Sequence, residues 1–351
     1  MAAAARWSLA VEPAVLDTVG RAREGVSAIA DAIAGAGGGA SVGDGIQALG
    51  TSVPVVQPLT TLDEGPGFRF TALWVLRAVP GAVGRLAVGQ GSPAESLTLD
   101  LTAPCPLSTP VCGFGVDDVA VVFDDRGHFD VFEVAAVFDA LARIVPRAAL
   151  TQAYDAGAWV ITARADRFGL VRQADGSQTL TRVTWAGASE PIVDGVVDLD
   201  IVAWGRADVP ALRDADVGPG LASYGLAPPA FDAPDREGVF PDGEHCTVGR
   251  TAGMPWSRLS ALPSGADGLA RLTPLDVSDG PWCPREGAAS AFDADLLRVR
   301  RIDVLLRVEV RSAEFRGPAG RLFTRGGTAV RNAPRWIGER TIAFSVATPG
   351  R

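Results

Sequence analysis

The sequence contains no lysine and only two histidines, His128 and His245, among its 351 residues. The absence of lysine excludes mechanisms that need a Schiff-base or phosphate-loop lysine. Two histidines cannot supply a three-histidine metal centre. The sequence also lacks any run of 18 apolar residues, so it predicts no transmembrane helix. These absences remove several classes of enzyme and of helical membrane protein.

The charge and the glycine pattern exclude further classes. The net charge is −9, and no basic cluster is larger than a few arginines, so we expect no nucleic-acid partner. The glycine-rich stretch 34–45 follows a helical segment, whereas a phosphate-binding loop precedes its helix. No G-x-S-x-G nucleophile motif occurs. The sequence therefore predicts no cofactor and no enzymatic activity.

One segment has helical periodicity. Apolar residues recur at steps of three and four over residues 13–36, and the glycines that follow favour a helix end. The predicted packing face consists of Val15, Val19, Ala22, Val26, Ile29 and Ile33. The opposite face, predicted to lie in water, carries Asp17, Arg21, Arg23, Glu24 and Asp31.

After Gly39 the apolar residues alternate with period two, which is typical of half-buried strands. The chain also holds 41 glycines and 25 prolines, a composition that favours many turns. Hairpins are predicted at 119–134 and 167–183, with turns at 124–127 and 175–176. The prediction is an α+β fold: an N-terminal amphipathic helix (1–39) packed on a mainly antiparallel head (40–351). Within the head we expect an irregular loop region at 205–290 and C-terminal strands at 296–351.

Four cysteines form two local pairs along the sequence, Cys105 with Cys112 and Cys246 with Cys283. An even cysteine count in a chain rich in glycine and proline indicates disulfides and an oxidising compartment. We expect these two pairings, and the second would staple the 205–290 region. Four reduced, buried cysteines are the alternative.

An acidic cluster in the 205–290 region is a weak candidate for calcium. It contains Asp232, Asp235, Asp242 and Glu244. Loop carboxylates are suitable calcium ligands, but nothing else in the sequence favours a site there, so we expect no metal. Asp124, Asp125 and Asp130 also resemble part of a calcium loop, but their spacing fails the EF-hand pattern and turn residues explain them better.

Three stretches of the sequence resemble the PilW-like minor pilins of type IV pili, which are related to the J-type pseudopilins of type II secretion. The best is the pair of segments 279–284 and 292–329, in which an arginine-rich alternating strand precedes a final strand. GVSAIADAIAGAGGG (25–39) is similar to the helix end that precedes the head of these proteins.

The resemblance implies a structural minor subunit that acts in filament assembly. Its partners would be other pilins or pseudopilins and the inner-membrane assembly machinery. Its location would be the inner membrane and periplasm, and then the extracellular filament. The family begins with a leader and about twenty apolar residues. We expect such a segment to precede the present one and to be its only contact with the membrane.

Two other functions stay open. One is a secreted β-rich binding module or pilus-tip adhesin that uses the 205–290 loop. The other is a secreted hydrolase that uses loop carboxylates such as Asp232 or Asp235.

Overall fold

The computed structural model describes ten ranges of the chain: 2–38, 49, 53–60, 69–100, 110–124, 127–208, 247–251, 254–283, 291–329 and 336–348. One long helix, α1, spans Ala2–Ala34. The strands of the first half are β1 (Val56–Leu59), β2 (Ala72–Arg85), β3 (Leu97–Thr98), β4 (Val119–Phe123), β5 (Phe129–Phe138), β6 (Arg143–Pro146), β7 (Trp159–Arg172) and β8 (Gln178–Thr184). The strands of the second half are β9 (Ser189–Arg206), β10 (Val248–Thr251), β11 (Met254–Ser257), β12 (Leu269–Leu272), β13 (Trp282–Cys283), β14 (Phe292–Asp293), β15 (Val299–Val308) and β16 (Arg340–Ala347). Short 3-10 helices occupy Pro110–Gly113, Asp139–Leu141, Ala294–Arg298 and Ala313–Phe315.

The predicted α+β fold class is wrong, because the structure is mainly β. Strands make up 44% of it and helix 16%. Twelve strands of the described ranges join one large sheet, and α1 packs against only part of it. The physical reason lies in the sequence pattern. Only one segment of the sequence has clear helical periodicity, whereas the alternating segments of the described ranges pair with each other as strands, so strands dominate these ranges.

The large sheet is antiparallel in every pairing of its strands. Its main path runs β16-β15-β9-β8-β7-β4-β5-β6-β3, with β1, β2 and β12 attached to the side. β7 pairs with β2 over most of its length and with β4 and β8 at its two ends. β9 pairs with β8, β12 and β15. These two long strands therefore connect the whole sheet.

The two predicted hairpins form at the expected turns. β4 and β5 pair from Val119↔Glu133 to Phe123↔Phe129, and the main-chain N–H of Asp124 donates to the carbonyl of His128 at 3.1 Å. β7 and β8 pair across the turn that contains Gly176, which has φ +78°. A left-handed residue at this place suits glycine, which has no Cβ to clash.

The helix begins earlier than predicted. It starts at Ala2, whereas the sequence pattern places its start at Pro13. Pro13 has no N–H to donate to the preceding turn, so one helical hydrogen bond is missing there. The helix nevertheless continues through it and ends at Ala34. Gly37 and Gly38 then reverse the chain with φ values of +71° and +92°.

The predicted packing face of α1 lies against the sheet, with uneven burial along it. Ile29 and Ile33 are fully buried, whereas Val15, Val19 and Val26 are half-buried. The most deeply buried side chains on α1 and at its C-terminal end are Thr18, Arg21, Ala22, Ile29, Ala32, Ile33 and Ala36. The helix face that packs on the sheet therefore differs slightly from the predicted one. It is centred on small residues such as Ala22 and Ala32 rather than on the valines. Together with residues of β8, β9 and β15, this face forms one of the hydrophobic cores of the protein.

The region 205–290 contains regular structure in its described part. β12 joins the sheet beside β9, and β10 and β11 form a separate hairpin. β13 pairs with β14, which begins just after this region. The C-terminal strands are β15 and β16, paired from Arg301↔Ala347 to Val308↔Arg340.

The helix approaches the sheet closely at Gly25. An added Cβ there would lie 2.7 Å from a methyl of Leu306, 3.1 Å from Val193 and 3.3 Å from Leu180. These three side chains belong to three different strands, and all three are buried. In contrast, Gly20 is exposed on the same helix, and a Cβ added to it would have no atom within 4 Å.

Alanine substitution of these two glycines should have opposite effects. Gly20→Ala should raise the free energy of unfolding by about 0.5–1 kcal/mol, because alanine favours the helix. Gly25→Ala should lower it by about 1–3 kcal/mol, because the new methyl overpacks the helix–sheet contact. Urea unfolding of both variants measures the difference. Equal stabilisation by both would show that α1 is not packed on the sheet.

Candidate functional site

A buried arginine fixes α1 to the sheet. The side chain of Arg21 is 6% exposed and has three acceptors. It donates to the Asp17 carboxylate at 2.9 Å, to the carbonyl of Asp194 at 2.5 Å and to the carbonyl of Glu309 at 2.9 Å. A buried charge is tolerated only when it is well paired and hydrogen-bonded, and these acceptors satisfy that condition. We call Arg21 and these three partners the helix anchor.

A bulge in β9 brings one of the carbonyls to Arg21. Gly195 has φ +67°, and the pairing register of β8 with β9 skips it between Thr179↔Asp194 and Gln178↔Val196. A Cβ on Gly195 would lie 3.1 Å from the Arg21 guanidinium. Glycine is therefore required there both by the backbone conformation and by the space that the arginine occupies.

A second arginine reinforces the anchor at the protein surface. Arg311 donates to both carboxylate oxygens of Asp194, at 2.8 and 2.9 Å, and to Asp17 at 3.1 Å. This bidentate bond is the main cause that lowers the pKa of Asp194, and the charge of Arg21 lowers it further. Arg311 thus connects α1 to β9 from the solvent side.

A buried ionic cluster lies beside the anchor. Glu309, whose carbonyl accepts from Arg21, has a carboxylate that is only 4% exposed. That carboxylate contacts Arg316 at 2.5 Å and Arg325 at 3.1 Å. Removing one charged partner from a buried ionic cluster is strongly destabilising, because the remaining charge is left buried and unpaired. The segment after β15 is therefore held to the same end of the sheet as α1.

The outer face of α1 stays open to solvent. Its exposed residues between Glu12 and Asp31 are mostly polar, but Leu16 is 64% exposed. An isolated exposed leucine is common on protein surfaces. Here it occupies the middle of a long helix whose other side is fixed to the sheet by Arg21.

Of the predicted site residues, the cysteines are only partly described. Cys283 is fully buried, at the pairing of β13 with β14, and it is disulfide-bonded. Cys105 and Cys246 lie outside the described residues, and the side chain of Cys112 does too. The pairings Cys105–Cys112 and Cys246–Cys283 therefore stay predictions.

The weak calcium candidates Asp232, Asp235 and Asp242 also lie outside the described residues. Within the described ranges, no three His, Cys, Asp or Glu side chains converge as a metal site would require. His128 closes the β4–β5 turn, where its Nδ1 lies 2.6 Å from an Asp124 oxygen.

One buried acid has a strongly shifted pKa, but its setting is structural. Burial raises the pKa of Asp295 to about 7, against the opposing charge of Arg298. The Arg298 side chain is fully buried and donates to the carbonyls of Arg206, Ala207 and Ser260. This arginine therefore joins the end of β9 to the 3-10 helix before β15, and the acid serves as its counter-charge.

The sequence pattern misassigned Arg21 to the solvent-facing side of α1. Its main-chain acceptors lie 173 and 288 residues away, and carbonyl groups carry no sequence signal. One feature of the sequence could have indicated the burial of Arg21. Its neighbours on the same helix face, Thr18, Ala22 and Gly25, are small, and small residues allow a helix to approach a sheet closely. A long side chain on that face then extends into the sheet.

No protein-family model, no curated protein and no solved structure matches this chain. None of the helices in the described ranges combines the length and apolarity that a membrane span needs.

The pairing of Arg311 with Asp194 predicts a pH-dependent contribution to stability. A carboxyl whose pKa is lower in the folded state stabilises the fold above its unfolded pKa, and this stabilisation is lost as the pH falls. Arg311→Gln should lower the free energy of unfolding by at most about 1 kcal/mol at pH 7, because both side chains are half-exposed. The difference from wild type should shrink as the pH falls below about 4, the pKa of an aspartate in the unfolded chain, because protonation of Asp194 removes the charge that Arg311 binds.

Urea unfolding across this pH range measures the effect, with Arg172→Gln, at an exposed arginine of β7, as the control. A constant difference between Arg311→Gln and wild type from pH 7 to pH 2 would contradict the assignment.

Proposed function

We propose that this chain is a structural minor subunit of a type IV pilus or a type II-like pseudopilus and acts in filament assembly. The observation that carries the proposal is a 33-residue N-terminal helix laid along an antiparallel sheet and fixed there by a buried arginine. A helix held in this way presents one rigid face, which suits repeated packing of subunits in a filament.

Two other observations support this function. Cys283 is disulfide-bonded, which fits a protein that folds outside the cytoplasm. Leu16 lies exposed on the outer face of α1, where an apolar contact with a neighbouring helix would bury it. The partners in this proposal are other pilins or pseudopilins and the inner-membrane assembly machinery. Its location is the inner membrane and periplasm, and then the extracellular filament.

A complementation experiment tests the proposal in the source organism. Deleting the gene should remove or strongly reduce filaments seen by electron microscopy, and the wild-type gene should restore them. Leu16→Asp should fail to restore them, because burial of a leucine is worth about 1.5–3 kcal/mol and aspartate adds a charge to the contact.

Leu141→Asp is the matched control, since Leu141 is 55% exposed and lies between β5 and β6, on the opposite arm of the sheet from the strands that contact α1. It should restore filaments as wild type does, with both variants present at equal level. Unchanged filaments and secretion in the deletion strain would contradict the proposed function. Equal restoration by both variants would contradict the role of the outer face of α1.

A further inference from the structure

A recess of about 300 Å³ opens beside β5, on the opposite arm of the sheet from the helix anchor. β6 pairs with β5 as far as Pro146, and the N–H of Arg147 still donates to the carbonyl of Glu133 at 2.7 Å. The chain then diverges from β5 and returns at Thr151. The recess is the gap between them, and its walls include Asp130, Val131, Glu133, Arg147, Leu150 and Trp185.

The inner end of the recess is built on a buried carboxylate. Asp130 is 7% exposed, and one of its oxygens accepts three hydrogen bonds. The donors are the N–H of Thr151 at 3.1 Å, its hydroxyl at 2.9 Å and the hydroxyl of Tyr154 at 2.8 Å. These bonds hold the returning segment in place, so the recess has a fixed shape.

An exposed indole forms another wall. Trp185 is 49% exposed and belongs to the turn between β8 and β9. Its main-chain N–H donates to the carbonyl of Ala165 at 3.0 Å, and the N–H of Thr184 closes the turn by donating to Ala188 at 2.9 Å. An indole offers a large, flat apolar surface, and Trp185 lines the recess.

The rim of the recess supplies charged donors and acceptors. Arg147 lies 3.1 Å from the carboxylate of Glu133 and also pairs with Asp117. Its guanidinium is about half-exposed, so both it and the carboxylate can bond to a ligand hydroxyl. The acids Asp117, Asp130 and Glu133 outnumber this arginine, which disfavours an anionic ligand.

We propose that this recess binds one residue of a neutral saccharide. A pyranose ring has an apolar C–H face, which would stack on Trp185, and an edge of vicinal hydroxyls, which would bond to the Arg147–Glu133 pair. The volume lies at the lower end of ligand pockets, so it fits one sugar ring rather than a long chain. The proposal does not depend on a role in a filament, and the site uses no residue of the 205–290 region.

Saturation-transfer NMR tests the proposal on the whole chain. The probes are glucose, galactose, mannose and N-acetylglucosamine, with glucuronate as the anionic comparison. At least one neutral sugar should bind with a millimolar Kd, and glucuronate should bind more weakly. Trp185→Ala should weaken binding at least tenfold, and Glu133→Gln should weaken it by a smaller factor.

Phe138→Ala is the matched control, because Phe138 is an aromatic residue 50% exposed at the far end of β5. It should bind the sugars as wild type does. Circular dichroism checks that each variant is folded. Three results would overturn the proposal: no binding of any neutral sugar, equal loss in Trp185→Ala and Phe138→Ala, or tighter binding of glucuronate.

Discussion

The contact between Arg21 and two main-chain carbonyls is the interaction on which the arrangement of helix and sheet depends. The guanidinium leaves water when α1 docks, and a buried charge without partners would prevent docking. The carbonyl of Asp194 lies beside the bulge at Gly195 within β9, and the carbonyl of Glu309 directly follows β15. Docking of the helix therefore requires both the bulge in β9 and the end of β15 to be in place.

Much of the local structure could be predicted from the sequence, because periodicity reports it directly. Ile29 and Ile33 lie buried on α1, and the turns at 124–127 and 175–176 join paired strands. The fold class could not be predicted in this way. A single amphipathic helix suggested an α+β layer arrangement, but strand order depends on long-range pairings, such as β9 with β15, which leave no local pattern.

The candidate sites were harder to predict than the elements that carry them. From the sequence pattern, Arg21 is predicted to face solvent. Its buried partners are main-chain carbonyls of distant residues, which the sequence does not reveal. The recess combines Asp130, Arg147 and Trp185, which come from three separate segments. Only the divergence of the chain from β5 after Pro146 brings them together. The outer face of α1 and the recess beside β5 lie on different parts of the structure, so the two proposals concern separate surfaces.

Amide hydrogen exchange of α1 tests most directly whether the helix and the sheet form one unit fixed by Arg21. In the wild type, amides between Thr18 and Ala32 should exchange only with a free energy close to that of global unfolding, and the amides of β7 should do the same. In Arg21→Gln, the same helical amides should exchange through an opening of distinctly lower free energy than those of β7. Rapid exchange throughout α1 in the wild type, or an unchanged pattern in Arg21→Gln, would contradict this account.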